Sequence, residues 1–403
     1  MHLVLETALD MDFRLRWNCD FSAITNSPWL GKSGRPCMYK ALYNGKNISR
    51  GGGMFLFILA FVCAAGLILV FRAFSHELGL VDHPGGRKQH ECPTPVVGGI
   101  AMFAAVAIVL LGFGSCTEKE SVLLWCAAAL MLLGLIDDKM GLNVKVRLAI
   151  QAMLSLIVIL DADGIITHLG GIFGGGDITL GSLAIPFSMV AFVGGINSMN
   201  MIDGADGMAG KMAAITSAGV GAISWLSGDI ELLTLVYVIL GTLAGFLLFN
   251  SRLFVGRALV FMGDSGSMWL GLVLGWMMVQ LTHDPISVKP ALALWLFGIP
   301  VIDTLAVITR RLRRKASPFA PDRTHIHHVF QDIGLSVKRS VFLLSVLQCM
   351  LVGIGLMFYI FKVHTSVVLG SFVLLMAAYF YVTQRFHVSP TDLARASGET
   401  TRR

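Results

Sequence analysis

Long apolar segments alternate with short polar ones along almost the whole chain after residue 53. Each apolar segment approaches the 20 or so residues that a helix needs to cross a bilayer. Because a backbone in lipid must satisfy its own hydrogen bonds, such segments predict helices. The eleven predicted crossings are 54–74, 97–114, 121–136, 142–160, 183–200, 209–227, 230–249, 263–281, 290–309, 341–361 and 367–384.

Five of the polar segments between these helices carry carboxylates, histidines or paired basic residues. They are GRKQHECPTPVVGG at 86–99, GLIDDKMG at 134–141, NMIDGADG at 200–207, FMGDSGS at 261–267 and SPFAPDRTHIHH at 317–328. If every apolar segment crosses the membrane, all five lie on the same side. The sequence therefore predicts one site, assembled at one membrane surface.

Composition and charge placement support the same fold class. Hydrophobic residues make up 55% of the chain and charged residues only 14%, well below the roughly one quarter of soluble domains. We therefore expect an all-α, polytopic integral membrane protein. From Met54 onward, 21 of 24 Lys and Arg residues lie on the side of the five motifs, which predicts that this side is cytoplasmic. The net charge of +6 reflects this bias, and without a basic domain interleaved with aromatic residues we exclude nucleic-acid binding.

The two ends of the chain differ from this pattern. Residues 1–53 are polar and lack the apolar core of a signal peptide. We expect a disordered extension, or an upstream start codon with Met54 as the working N-terminus. Residues 54–385 form the predicted membrane domain, and 386–403 a flexible cytoplasmic tail. The seven cysteines form no CxxC pair, so neither a disulfide framework nor a structural zinc site is expected.

Asp137 and Asp138 follow an apolar run directly, at the predicted cytoplasmic end of the third crossing. Charged groups at a bilayer edge are costly unless they serve an ion or a substrate. A divalent cation or a lysine would relieve the repulsion between adjacent carboxylates. The alternative, a helix end bathed in water, fits the segment equally well.

Asp203 and Asp206 are three residues apart, a spacing that places both on one side of a turn. Glycines and the nearby Asn197 and Asn200 make a polar segment suited to close approach by a ligand. An ordinary Asp-Gly turn between helices is the alternative. A second acidic pair on the same face favours function.

Asp264 lies at the start of the eighth crossing, after Phe261 and before two serines. Hard oxygen ligands suit Mg²⁺, which needs only one or two protein carboxylates besides water and substrate phosphates. An aspartate at a helix start is also a common N-cap. The two roles are compatible.

His325, His327 and His328 follow a Pro-rich turn and Arg323. A zinc site lacks a Cys or carboxylate partner at ligand spacing. We favour donors to phosphate oxygens, with Arg323 making a forked contact, over a solvated loop.

Arg87, Lys88 and His90 lie in the loop after the first crossing. Such residues are commonly no more than cytoplasmic charges that orient the chain. Their position next to a turn fixed by Pro and Gly favours anion binding.

Taken together, these motifs resemble those of the polyprenyl-phosphate N-acetylhexosamine-1-phosphate transferases. The resemblance runs from about residue 54 to about residue 385, in the family's motif order. The segment at 317–328 is its most specific part and resembles the GlcNAc-type branch. The related transferases of phospho-MurNAc-pentapeptide share the acidic motifs and FMGD, but have a shorter segment before their histidines.

The resemblance implies transfer of GlcNAc-1-phosphate from UDP-GlcNAc to undecaprenyl phosphate, releasing UMP. It implies Mg²⁺, with Mn²⁺ as a substitute, and the first membrane step of a cell-surface glycan pathway such as O-antigen or enterobacterial common antigen. The implied location is a bacterial inner membrane, with the site facing the cytoplasm. Expected partners are both substrates, the lipid bilayer and, as one option, a second copy in a homodimer.

The resemblance also implies roles for individual residues. Asp264 would ligate the metal, and Asp137 and Asp138 would position the metal and the lipid phosphate. Asp203 and Asp206 would contact nucleotide or metal, and Phe261 would stack on uracil. The histidine motif with Arg323 would engage the pyrophosphate or the sugar.

Two alternatives remain. A transferase of the same family could use UDP-GalNAc or UDP-MurNAc-pentapeptide instead of UDP-GlcNAc. A secondary transporter would also place acidic residues in broken helices, but near the bilayer midplane and usually with internal repeats. Because these acidic groups gather at one edge and no repeat is visible, we favour the enzyme.

Overall fold

The computed structural model describes residues 43–44, 47–48, 50–83, 92–113, 116–173, 176–283, 288–317 and 325–385. Within these ranges the chain is almost entirely helical. The helices are α1 Arg50–Ala73, α2 Gly98–Gly112, α3 Glu118–Met140, α4 Val144–Asp161, α5 Ala184–Ile202, α6 Met208–Ser227, α7 Ile230–Asn250, α8 Asp264–Gln280, α9 Ala291–Leu296, α10 Gly298–Arg313, α11 Ile326–Asp332, α12 Val337–Ile360 and α13 Thr365–Arg385. Two-residue strands form two antiparallel pairs, β1 Tyr43–Asn44 with β2 Asn47–Ile48, and β3 Val81–Asp82 with β4 Thr94–Pro95.

Each of the eleven predicted crossings overlaps a helix or, at 290–309, a pair of helices. Among the described residues, six helical segments are both long and apolar enough to cross a membrane. They are Gly52–Ala73, Glu118–Met140, Gly181–Ile202, Ile230–Asn250, Val337–Ile360 and Thr365–Gln384. The all-α, multi-pass membrane character is confirmed, whereas the number eleven and the orientation stay predictions.

Helix α8 is the centre of the molecule. Nearly every side chain from Ser265 to Val279 is buried, and α2, α3, α5 and α6 pack around the helix. Glycines allow the backbones to meet: a Cβ on Gly134 of α3 would lie 2.4 Å from the backbone of Asp264, and one on Gly99 of α2 would lie 2.3 Å from Gly266. Small residues at helix contacts are typical of membrane bundles, and here they bring the ends of α2 and α3 against the start of α8.

The predicted ninth crossing is broken at Phe297 into α9 and α10. Pro300 has no N–H and favours the first turn of a helix, so a new helix starts just before it. Gln348 of α12 satisfies the opened backbone: its Oε1 accepts from Ile299 N at 2.9 Å, and its Nε2 donates to Leu296 O at 2.7 Å. Thus the break needs no water inside the bundle.

The structure differs from the prediction at the start of the membrane domain. Helix α1 begins at Arg50 rather than Met54, and the antiparallel strands β1 and β2 precede it. The rest of the predicted N-terminal extension and the predicted tail at 386–403 lie outside the described residues.

Candidate active site

The last turn of α3 presents Asp137 and Asp138, whose surroundings differ. Asp137 is only 8% exposed. Its Oδ1 accepts from Leu142 N and its Oδ2 from Arg147 Nη1, both at 2.7 Å. The alternative of a solvated helix end is therefore wrong for Asp137. Asp138, in contrast, is exposed.

Arg147 of α4 was not among the residues expected from the sequence. Its Nη1 is 2.7 Å from Asp137 Oδ2 and 3.8 Å from Asp264 Oδ2. The guanidinium thus joins the acidic pair of α3 to the aspartate of α8. A basic residue ten positions after an Asp pair carries no recognisable signal, because the contact depends on how α3 and α4 turn back on each other.

Asp138 lies at the N-terminus of α8. Its carboxylate accepts from Asp264 N at 3.2 Å and Ser265 N at 3.3 Å, where helix N–H groups favour an anion. Gly263 makes this approach possible: its φ is +72°, and a Cβ there would lie 2.7 Å from Asp138 Oδ2. Asp138 is thus fixed against the FMGDSGS segment.

Asp264 does not cap its own helix, because Gly263 occupies the cap position and Asp264 is the first helical residue. Instead its Oδ1 accepts from Asn200 Nδ2 at 2.7 Å, and the same nitrogen is 3.0 Å from Ser267 Oγ. The N-cap interpretation is therefore wrong. Asn200, in the last turn of α5, thus connects this helix to the start of α8.

The acidic loop, residues 203–207 between α5 and α6, concentrates negative charge. Burial and, after it, neighbouring carboxylates raise the pKa of Asp203 to about 8. These carboxylates belong to Asp264, Asp138 and Asp206. Together with the bonds that join Asp138, Asp264 and Asn200, this places the three acidic motifs at one site in the described residues.

Asp206 is held from the side of α7. Its Oδ2 accepts from Arg252 Nε at 2.7 Å. Asn250, buried at the end of α7, accepts from Gly207 N at 2.7 Å and donates to Val260 O at 2.8 Å. These bonds attach the acidic loop to the segment that leads to Phe261.

Phe261 belongs to a backbone junction with the loop before α2. Phe261 N donates to Pro95 O at 2.8 Å, and Phe261 O accepts from Gly98 N at 2.9 Å. Phe261, which is half-buried, therefore lies beside Pro95 and Gly98 of the first motif. The predicted anion-binding residues Arg87, Lys88 and His90 lie outside the described residues.

The histidines lie at the start of α11 and are mostly buried. His327 is 2% exposed and packs against the acidic loop, since a Cβ on Gly204 would lie 2.6 Å from its Cε1 and Nε2. Ring centroids are 5.8 Å apart for His325 and His327, and 4.1 Å for His327 and His328. The solvated-loop alternative is wrong for His325 and His327, and Arg323 lies outside the described residues.

Asn197 lies one turn deeper than Asn200 and has other partners. Its Nδ2 donates to Gln151 Oε1 at 2.7 Å and to Val193 O at 2.8 Å. These bonds join α5 to α4 inside the bundle. Asn197 therefore bonds inside the bundle rather than with the aspartates of the site.

The described residues contain no group of three His, Cys, Asp or Glu side chains arranged to hold a metal. Asp138 and Asp264 do present carboxylate oxygens at the start of α8, and burial together with neighbouring carboxylates raises the pKa of Asp203. Hard oxygen donors and excess negative charge suit Mg²⁺, which needs one or two protein carboxylates and takes its other ligands from water and phosphate. These residues therefore fit such an ion.

Comparison with known proteins identifies the family. Residues 121–282 match the family model described as glycosyl transferase family 4. A relative from Escherichia coli (strain K12), named undecaprenyl-phosphate alpha-N-acetylglucosaminyl 1-phosphate transferase, is 32% identical over 336 residues, which is 82% of this chain and 89% of the relative. This chain belongs to glycosyl transferase family 4.

Two further relatives give the same picture. A Yersinia pestis relative with the same name is 33% identical over 75% of this chain and 81% of its own. One from Haemophilus influenzae, again with that name, is 29% identical over 81% of this chain and 93% of its own. The resemblance to polyprenyl-phosphate N-acetylhexosamine-1-phosphate transferases is thus confirmed, over about four fifths of the chain.

Proposed function

We propose that this protein transfers N-acetylglucosamine 1-phosphate from UDP-GlcNAc to undecaprenyl phosphate, giving undecaprenyl-diphosphate-GlcNAc and UMP. The relatives named for this activity match more than four fifths of the chain. The observation that carries the proposal is the hydrogen-bonded junction of Asp138, Asp264 and Asn200. It joins three family motifs at one end of a membrane bundle, where a lipid phosphate and a soluble nucleotide can meet.

The chemistry requires two anions to approach each other. A phosphate oxygen of the lipid attacks the β-phosphorus of UDP-GlcNAc, and UMP leaves. Because the second pKa of a phosphomonoester is about 6, the nucleophile is mostly dianionic at neutral pH. A strong general base is therefore not required, and positioning with charge neutralisation provides the catalysis.

We assign Mg²⁺ to Asp264 and Asp138, whose oxygens lie at the start of α8. When bound, the ion neutralises phosphate charge and orients the reacting groups. Asp137 was expected to join them, but it is buried and its Oδ2 pairs with Arg147 at 2.7 Å. Asp138 is exposed instead, and its bonds from Asp264 N and Ser265 N are longer, at 3.2 and 3.3 Å. We propose that Asp137 holds Arg147 toward the phosphates, as a positioning contact rather than as a nucleophile.

The remaining residues surround the same end of the bundle. Phe261 offers a half-buried ring for the uracil face. His325 and His327 offer ring nitrogens for the pyrophosphate or sugar, next to the acidic loop. Asp203 contacts the nucleotide or the metal, and Asp206 holds the loop through Arg252.

The location follows from the charge distribution. Most Lys and Arg residues lie on the side of the site, and this bias orients membrane proteins with that side in the cytoplasm. We propose a bacterial inner membrane, where UDP-GlcNAc is available on the cytoplasmic side. A homodimer stays a prediction.

The test is a membrane assay with radiolabelled UDP-GlcNAc, undecaprenyl phosphate and Mg²⁺. We expect lipid-extractable label that is lost when EDTA is added, and a fall of at least about a hundredfold for Asp264→Asn and Asp138→Asn, within the range for removing electrostatic stabilisation of a transition state. Asp161→Asn, an exposed residue at the other end of the bundle, is the matched control and should keep full activity.

Two other outcomes are informative. Transfer from UDP-GalNAc or UDP-MurNAc-pentapeptide, without transfer from UDP-GlcNAc, would replace the substrate and leave the reaction type. If correctly folded protein transferred from no UDP-sugar, the proposal would fail.

A further inference from the structure

A buried carboxylate outside the five motifs lies behind the histidines. Asp303 of α10 is only 1% exposed. Its Oδ2 is 2.8 Å from His325 Nδ1, and its Oδ1 accepts from Ile326 N at 3.0 Å and from Tyr379 Oη at 2.7 Å. One aspartate thus joins α10, the start of α11 and α13.

These contacts do more than satisfy a buried charge. A buried carboxylate needs partners because its desolvation is costly, but two of the three come from consecutive residues of the histidine motif. The bond to Ile326 N fixes the backbone at the first turn of α11, and the bond to His325 Nδ1 fixes the ring. Together they set both the position and the orientation of His325.

The orientation of an imidazole decides what its far nitrogen does. When Nδ1 of a histidine is engaged by a carboxylate, the tautomer is fixed and Nε2 becomes the working end. His325 stacks on His327, which in turn packs against Gly204 of the acidic loop. Fixing His325 therefore also fixes the surface that His327 presents to that loop.

We propose that Asp303 is a positioning residue for the transfer reaction, which holds His325 by Nδ1 so that Nε2 contacts the UDP-sugar. This inference rests on the proposed function. Asp303 touches neither substrate nor metal and acts only through His325. Tyr379 of α13 donates to Oδ1 of the same carboxylate, the oxygen that does not face His325.

The decisive variant is Asp303→Asn, which keeps the size of the side chain. The amide can still accept from Ile326 N, but it presents N–H rather than oxygen to His325 and selects the other tautomer. We expect the KM for UDP-GlcNAc to rise about tenfold or more, the effect of losing a hydrogen bond to a charged group. The KM for undecaprenyl phosphate should stay unchanged, which mere loss of folded protein would not produce.

A double variant tests whether Asp303 acts through His325. If it does, adding Asp303→Asn to His325→Ala costs no further activity. Additive losses would overturn the proposal, as would wild-type KM and kcat for Asp303→Asn. The matched control is Asp332→Asn. Asp332 is an exposed aspartate at the end of α11, the helix that begins directly after His325, and this variant should behave as wild type.

If Asp303→Asn does not accumulate in the membrane, His325→Asn tests the same contact. Its amide nitrogen can take the place of Nδ1 beside Asp303, while the Nε2 end of the ring is absent. We expect folded protein with the raised KM for UDP-GlcNAc, and wild-type kinetics would overturn the proposal. The wild-type enzyme is assayed in parallel with each UDP-sugar, so failure of the proposed function is seen separately, as absence of transfer by wild type.

Discussion

At the scale of single residues, Arg147 connects two of the acidic motifs. Its guanidinium contacts Asp137 at 2.7 Å and lies 3.8 Å from Asp264. The two side chains of the closer pair are 18% and 6% exposed, so the pair is largely removed from solvent. Removing one partner of such a pair leaves a charge that water cannot stabilise.

Arg147→Gln should therefore destabilise the protein by about 3 kcal/mol, near the lower end of the range for breaking a buried pair. The measurement is the thermal unfolding midpoint of the detergent-solubilised protein. Lys145→Gln, an exposed position on the same helix, is the control. The double variant Asp137→Asn with Arg147→Gln should recover part of the loss, and strictly additive losses would contradict the pairing.

The pKa of Asp203, raised to about 8, gives a pH prediction for the metal-free protein. An unfolded aspartate loses its proton near pH 4, whereas the folded protein keeps it until about pH 8. Unfolding therefore releases a proton in this window, and the free energy of unfolding falls as pH rises from about 4 to about 8. Above that range the contribution of Asp203 is constant.

Asp203→Asn should remove this contribution. In EDTA, its unfolding midpoint should exceed that of wild type by a margin that widens up to about pH 8 and is then constant. Asp161→Asn, which lies at the opposite end of the bundle, should follow wild type. Parallel curves for wild type and Asp203→Asn would show that Asp203 ionises as an ordinary carboxyl group.

At the scale of elements, the short helix α11 is placed by contacts at both of its sides. Asp303 holds its first turn, and His327 packs against Gly204 of the acidic loop. This contact tolerates no side chain on residue 204, because a Cβ would lie 2.6 Å from the imidazole. The histidine motif and the acidic loop therefore have to fit as a pair.

Gly204→Ala should displace His327 and reduce transfer by at least about tenfold, because misplacing a positioned group by about 1 Å costs much of its catalytic effect. Gly256→Ala is the matched control, since nothing lies within 4 Å of a Cβ at that loop position. Transfer rates are compared at equal amounts of folded protein. Wild-type activity of Gly204→Ala would mean that His327 does not need its present position.

For the whole molecule, the site lies at one end of the bundle and the Lys119–Asp163 ion pair at the other. Helix α3 has 23 residues and spans about 35 Å, with Asp137 and Asp138 at one end and Lys119 at the other. Lys119 pairs with Asp163 at 2.5 Å. Lys119, one of the three basic residues predicted on the opposite face, thus lies away from the site.

The predicted orientation can be tested with single cysteines in a background without native cysteines. Lys145→Cys lies at the site end, and Phe173→Cys, at 89% exposure, lies at the other. A membrane-impermeant maleimide should label Phe173→Cys in spheroplasts and Lys145→Cys only after permeabilisation. The reverse pattern would place the site outside the cytoplasm.

The position of the site was largely predictable because polar residues in an apolar chain stand out. Asp138, Asp203, Asp264 and His327 were all expected at one membrane surface, and the structure brings their segments together. Asn197 was grouped with them by proximity in sequence, yet its partner is Gln151 inside the bundle. Sequence distance along a helix does not say which side of the helix faces the site.

The sequence alone determined the helical membrane class and the family, and it predicted that the five motifs meet at one membrane surface, because hydropathy and motif order are local properties of the chain. Only the tertiary structure revealed Arg147 between the acidic motifs and Asp303 behind His325. Both residues lie in segments that the hydropathy pattern predicts as membrane crossings, with no sign of a site. Their roles arise from contacts between residues 10 and 22 positions apart, which depend on how the helices pack and which the local pattern does not contain.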